Sequence, residues 1–287
     1  MSAGLSLASV ITSAQKRLAD AGTDDPALDA RLLIAQALGC DRLTLLTDSG
    51  RALTENETAI IEALIARRAA REPVHRILGL REFWGLPFGL NEATLEPRPD
   101  SETLIEVASK VCSPAPRRLL DLGTGTGCLL LSLLHEWPHA TGLGIDKAPR
   151  AIEQATLNAK RLGLENRATF QIGDWLNGID ETFDLIICNP PYIPSRDVDT
   201  LQPEVRAHDP IAALDGGAEG LDPYHHLIPL LPDFLNEGGL VLFEIGIGQA
   251  EDVSRLMKDN GFHDVTLTRD LGGIPRVVGA LCPLKSC

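Results

Sequence analysis

From about Leu95 to the carboxyl end, short apolar runs alternate with longer stretches of helical spacing, and this alternation restricts the fold more than any other feature of the chain. Residues 119–122, 142–146, 168–172, 183–188 and 240–245 read as strands, the run into Cys188 being short and β-branched like a buried central strand. Helices are expected over residues 128–135, 149–162, 223–235 and 249–260. Helical crossovers between consecutive strands force a parallel sheet that is covered on both faces, an α/β doubly wound arrangement. Two further runs, residues 263–269 and 276–281, follow the last helix too closely for another crossover and are expected to pair antiparallel as an edge hairpin.

The amino-terminal part has a different period. Leu7, Val10, Ile11, Ala14 and Leu18 fall on one helical face, with Gly22 as a stop. Pro26 opens a second run whose stripe is Leu28, Leu32, Leu33 and Leu38, ended by Gly39. Thr54-Glu55-Asn56-Glu57 has capping-box spacing and opens a third, which continues through Ile60, Ile61, Leu64 and Ile65 to the basic end Arg67, Arg68 and Arg71. Residues 1–72 are therefore expected to form a small helical bundle that ends at Pro73. Residues 73–95, with Phe83-Trp84-Gly85-Leu86-Pro87-Phe88, are expected to be a hairpin linker, and residues 96–287 the α/β domain.

Charge and cysteine usage narrow the partners. A net charge of −14 argues against duplex nucleic acid as the main partner, because phosphates need a basic surface to displace their counterions. Cys40, Cys112, Cys128, Cys188, Cys282 and Cys287 are scattered, without the spacing of a metal site, and read as thiols in a reducing compartment. No apolar run reaches the roughly 18 residues of a membrane span. A cytoplasmic location without membrane or metal is expected.

Four strand runs close on polar residues. Asp121 precedes Gly123-Thr124-Gly125-Thr126-Gly127, where glycines let the backbone turn tightly and approach a ligand. The acid does not suit a pyrophosphate, and such a loop can also be purely structural. Asp146 reads either as an acceptor for ribose hydroxyls or as an N-cap for the run from Pro149. Asp174 before Trp175 suits the edge and face of a purine. The fourth run leads into Asn189-Pro190-Pro191-Tyr192. Pro190 cannot donate to a ladder, so the strand stops and Asn189 sits at its carboxyl end, where open α/β sheets bind ligands. These four residues alone read equally as a turn. Taken together, the four strand ends line one crevice.

This set resembles class I S-adenosylmethionine-dependent methyltransferases, and Asn189 to Tyr192 resembles the motif of their amino-methylating branch. Pro97-Arg98-Pro99-Asp100-Ser101-Glu102, Gly173-Asp174-Trp175 and Glu204-Val205-Arg206 leading to Pro210 carry the likeness further. They resemble the N5-glutamine methyltransferases that modify peptide chain release factors, over nearly the whole chain. The resemblance implies a Rossmann-like methyltransferase sheet and S-adenosylmethionine as cofactor. It implies cofactor contacts from Asp121, Gly123, Thr124, Gly125, Thr126, Gly127, Asp146, Asp174, Trp175 and Asn189. It implies that Asn189, Pro190, Pro191 and Tyr192 hold a glutamine amide, with Asn189, Pro190 and Tyr192 as the catalytic set, and that the helical bundle recognises a release factor. The Asn189 side-chain oxygen and the Pro190 carbonyl would accept the two amide hydrogens and aim the nitrogen, chiefly an orientation effect. The loop 207–221 keeps glycines and acids but is assigned no contact. Three other readings compete. One is the same chemistry on a large-subunit ribosomal protein, and another is methylation of amino groups on DNA or RNA bases, which the acidic balance disfavours. The third is a nucleotide-binding protein without catalysis, which would need Asn189 replaced or occluded.

Overall fold

The computed structural model describes residues 5–282, so Cys287 and the last residues of the expected α/β domain lie outside the described residues. The chain forms two compact units. One holds the chain up to Leu80 together with Pro203–His208. Its helices Leu7–Asp20, Pro26–Leu38 and Glu55–Ala69 start on the side-chain caps Ser6, Asp25 and Thr54, and Thr54 with Glu57 completes a capping box. Leu7, Leu18, Leu33, Ile34, Ile61 and Ile65 form a core of their own. Arg68, almost fully buried, pairs with Asp29 at 2.6 Å and Glu204 at 3.1 Å, and Arg71 reaches Glu204 at 2.6 Å. These pairs tie Pro203–His208 to the bundle.

Two short helices, Arg42–Thr47 and Val74–Leu78, have no counterpart in the expected spacing. The bundle accordingly does not close at residue 72. Pro73 stands at the entry of Val74–Leu78, because its fixed φ suits the start of a helix as well as a stop.

The second unit takes the rest of the chain. Strands β1 (Leu80–Phe83) and β2 (Leu86–Gly89) form a hairpin whose turn, Trp84-Gly85, has positive φ at both positions. Phe83 and Phe88 meet edge to face at 6.2 Å and are buried with Leu104, Leu130 and Leu134. Trp84 Nε1 donates to Glu136 at 2.8 Å.

Strands β3 (Arg118–Leu122), β4 (Thr141–Asp146), β5 (Ala168–Ile172), β6 (Phe183–Cys188), β7 (Leu235–Glu244), β8 (His263–Arg269) and β9 (Pro275–Leu281) make one seven-stranded sheet in the order β5-β4-β3-β6-β7-β9-β8. The strands from β5 across to β7 are parallel, and β9 pairs antiparallel with both β7 and β8. Alternate residues serve opposite faces. Leu120, Leu122, Ile186 and Phe243 pack with the helices Asp222–Leu227 and Ala250–Asp259. Leu119, Leu185, Ile187 and Leu242 pack with Glu102–Val111 and Cys128–Glu136. A helix was expected over residues 223–235, but it stops at Leu227, and the chain makes a 3-10 turn at Leu231–Asp233 before β7 begins at Leu235. Pro229 and Pro232 remove the donors and clash with the preceding turn. Among the described residues no helix is long and apolar enough to cross a membrane. Strand order reverses between β3 and β6, which opens a crevice at their carboxyl ends.

Candidate active site

A cavity of about 210 Å³ occupies that crevice. Gly123, Thr124, Gly125, Thr126, Asp146, Asp174, Trp175, Asn189 and Pro191 line it. Arg98, Ser101 and Lys147 do so too, with Ala93, Leu95 and Pro97 on one side and Pro210, Ala212 and Ala213 on another. Asp121, Gly127, Pro190 and Tyr192 are not part of its wall. Most of the residues expected at the four strand ends thus share one cavity, and Arg98, Ser101 and the segment after Asp209, to which no role was assigned, share it with them.

The glycine loop is held by its backbone. Gly123, Gly125 and Gly127 have φ of 74°, 54° and 78°, which only glycine adopts without strain. The amides of Gly123 and Thr124 both donate to the Ile145 carbonyl at 2.9 Å. Asp146 accepts from Gly125 N and Ala148 N, each at 2.9 Å. The cap position of the helix Pro149–Arg161 is Ala148, without a side-chain bond, so Asp146 is not its N-cap. Asp146 instead ties the loop to β4, and each carboxylate oxygen keeps a lone pair for a hydroxyl in the cavity. A Cβ at Gly125 would meet nothing nearer than the Gly123 carbonyl at 4.0 Å, so a ligand can lie directly on that backbone.

Asp121 stands beneath the loop, 1% exposed. Its Oδ2 accepts from Thr124 Oγ1 at 2.6 Å, while Oδ1 is buried without a partner. Burial pushes the carboxyl up to about 7, with the Thr124 bond opposing and the charge of Asp146 adding. Sealed beneath the loop and off the cavity wall, this carboxyl can favour a cationic ligand through its field but does not touch it. S-adenosylmethionine meets this test: it offers positive charge for Asp121, ribose hydroxyls for Asp146 and an adenine for the half-buried Trp175. Trp175 itself has φ of 56°, a strained value for an aromatic residue and one common beside ligands.

The second half of the crevice carries Asn189. Its Nδ2 donates to Ser101 Oγ at 3.1 Å, which leaves Oδ1 as the end of the amide available to a ligand. The following backbone is braced, since the Tyr192 carbonyl accepts from Gln249 Nε2 and Ile193 N donates to the Leu214 carbonyl, both at 2.9 Å. The Tyr192 hydroxyl donates to Glu244 Oε1 at 3.3 Å. Glu244 ends β7 and is 1% exposed. Burial pushes it up to about 7, against the pull of Ser101, Arg276 and Tyr192. Burial and the charge of Glu244 raise the Tyr192 phenol in turn. Arg98 pairs with Asp209 at 2.6 Å and so joins two segments of the wall. Ser101 and Arg98 lie in the run already singled out in the sequence. Glu244 was missed, although a lone acid ending an apolar run is the same signal that marked Asp146.

Among the described residues no group of three or more His, Cys, Asp or Glu is placed to hold a metal ion. Cys188 and Cys282 are buried, and burial lifts the Cys128 thiol to about 12.

Residues 9–79 match the family model described as PrmC N-terminal domain, and residues 116–263 match Methyltransferase domain. A release factor glutamine methyltransferase of Rhodospirillum rubrum is 49% identical, covering 91% of this chain and 80% of that protein. A protein of the same name from Bradyrhizobium diazoefficiens is 45% identical over 96% of this chain and 95% of its own length. Among solved structures, a methyltransferase from Pyrococcus furiosus aligns with a TM-score of 0.50 at 17% identity, covering 78% of this chain and 98% of that one. The hMettl16 catalytic domain in complex with a 3'UTR hairpin aligns at 0.58 and 17% identity over 78% and 84% of the two chains, a likeness of fold.

Proposed function

The chain belongs to the release factor glutamine methyltransferase family, and from that premise we propose that it methylates the side-chain amide nitrogen of a glutamine in peptide chain release factors, with S-adenosylmethionine as donor. The observation that carries this reading is the Asn189 amide, whose nitrogen is engaged by Ser101 so that its oxygen remains for an incoming N–H. The donor, when bound, supplies a methyl group on a sulfonium sulfur, already activated for attack. Asp146 would hold its ribose and Trp175 its base over the glycine loop, with buried Asp121 acting beneath that loop through its field.

An amide nitrogen is a poor nucleophile because its lone pair is delocalised into the carbonyl. The Asn189 oxygen at the wall supplies one acceptor for its two hydrogens, and we take the Pro190 carbonyl, which the cavity wall does not include, as the second. Bonds to both favour a pyramidal nitrogen with its lone pair aimed at the methyl group, and such orientation alone can lower a barrier by several kcal/mol, about 7–11 in the best intramolecular cases. Pro190 and Pro191 keep the carbonyl rigid. Tyr192 holds the motif in register through Glu244 and helps to exclude water. We assign recognition of the protein substrate to the helical unit, which contributes none of the groups that line the cavity.

The test is to incubate the protein with labelled S-adenosylmethionine and, separately, release factors, large-subunit ribosomal proteins and nucleic acids. Label on a glutamine nitrogen of a release factor is expected. Label confined to ribosomal protein or to nucleic acid would overturn the reading in favour of one of those acceptors.

A further inference from the structure

A half-turn about its terminal torsion exchanges the oxygen and nitrogen of Asn189, and the two ends offer a ligand opposite things, an acceptor or a pair of donors. One end is engaged here. Asn189 Nδ2 donates to Ser101 Oγ, and the Ser101 proton then needs an acceptor of its own. Ser101 lies against Glu244, whose Oε2 is buried without a hydrogen-bond partner and whose Oε1 takes the Tyr192 hydroxyl. Glu244 is 1% exposed and lies off the cavity wall, while Ser101, 3% exposed, stands between it and the cavity that it helps to line. The charged groups facing Glu244 are Arg276 of β9 and Asp100 of the turn before the helix Glu102–Val111, paired with each other at 2.7 Å. Arg276 is also bound by Asp270 at 2.9 Å. Buried Cys188 and Tyr224 sit near enough to feel the charge of Glu244, and burial raises both.

We propose that Ser101 and Glu244 are positioning residues that lock Asn189 with its oxygen toward the cavity, and that this lock selects a side-chain amide over a carboxylate. With Glu244 ionised, the chain of donors has one direction: Asn189 to Ser101, Ser101 to Glu244. Turning Asn189 around would require Ser101 to donate to it, leaving the buried Glu244 carboxylate with the Tyr192 hydroxyl and without that of Ser101, a loss a buried carboxylate tolerates poorly. A glutamine brings two N–H donors to the crevice and needs acceptors there. A glutamate brings only acceptors and would be welcomed by a reversed Asn189.

The inference rests on the glutamine-methylating reading of the site, and its test separates the two. A release factor and the same factor with glutamate at the methylated position are titrated against the protein saturated with S-adenosylhomocysteine. The parent protein is expected to prefer glutamine by about tenfold or more, the scale of one well-placed hydrogen bond. In Ser101→Ala that preference should fall to within about threefold while S-adenosylhomocysteine affinity stays within about twofold, because only the orientation of the amide has been released. Single-turnover methylation should slow by about tenfold in Ser101→Ala but show no added loss when Ser101→Ala is placed in an Asn189→Ala background, since a residue acting through Asn189 has nothing left to orient. Glu244→Gln, close in shape, should lower the preference in the same direction. Retention of the full preference in both variants, or a Ser101→Ala loss that adds undiminished to that of Asn189→Ala, would overturn the lock. A parent protein that methylates no glutamine sinks the reading of function, whereas one that methylates glutamine yet binds both factors equally sinks this inference.

Discussion

The two halves of the crevice are built by different means. On the cofactor side, backbone does the holding: the amides of Gly123, Thr124 and Gly125 are fixed by Ile145 and Asp146, within a short reach of the chain. On the acceptor side, side chains do it, and they come from far apart. Asn189 is set by Ser101, 88 residues away, and Tyr192 by Glu244, 52 residues away. A backbone cradle tolerates many side chains but not a displaced turn. A side-chain relay tolerates small shifts of backbone but not the loss of one donor or acceptor.

That contrast can be broken first at Gly144 on β4, where a Cβ would stand 2.6 Å from the Phe170 ring and 2.8 Å from Thr124 Oγ1. Gly144→Val should cost the fold about 1–3 kcal/mol by overpacking and push the loop from its place. Thermal denaturation and calorimetry with S-adenosylhomocysteine check this, and a variant with parental stability and affinity would mean the loop does not depend on that contact. Next in size is Asp146→Ala, which strands two backbone amides and removes the ribose acceptor. Cofactor binding should weaken by about 1–3 kcal/mol by calorimetry.

Asp121 and Glu244 offer a pH test with one on each side. Both carboxyls are raised on folding, from 3.8 and 4.5 to about 7 in each case. The folded protein therefore binds more protons than the unfolded chain between those values, so this stability is fully present below about pH 4 and is lost as pH rises through 7. Asp121→Asn should raise the melting temperature of the ligand-free protein at pH 8, with the gain shrinking toward pH 5. Bound S-adenosylmethionine should narrow the difference from the parent, because positive charge then compensates Asp121. An unchanged melting profile would show that Asp121 is not a buried acid in solution. The smallest effect is expected away from the crevice. Leu43 and Leu46 are each 66% exposed on the helical unit, and Leu43→Glu with Leu46→Glu should raise KM for a release factor by several-fold while leaving cofactor affinity alone.

What could be read from the sequence follows the same division. The cofactor side was legible because glycine spacing, Asp121, Asp146 and Trp175 are local signals at strand ends. That Asn189 and Pro191 share the crevice was legible for the same reason, whereas Pro190 and Tyr192 are not in its wall. Ser101 and Glu244 carried signals, a singled-out run and a strand-end acid, but not their roles, which come from contacts across 88 or 52 residues that no periodicity encodes. Asp146 was undecided between two roles until its bonds to Gly125 and Ala148 set it on the loop. Other differences were local. Pro229 and Pro232 forbade a helix drawn through them, and Arg42–Thr47 and Val74–Leu78 are too short to show a helical stripe.

The most direct test of the division takes two numbers from one variant, Asn189→Ala. Its affinity for S-adenosylhomocysteine reads the cofactor side, and its single-turnover rate on a release factor reads the acceptor side. Losing the acceptor that aligns the amide should slow methyl transfer by roughly 10²-fold, since a misplacement of about 1 Å can cost that much. Affinity should fall far less, because most cofactor contacts come from the other strand ends. A variant that binds the cofactor and transfers methyl at nearly the parent rate would contradict the account and reduce Asn189 to a turn residue.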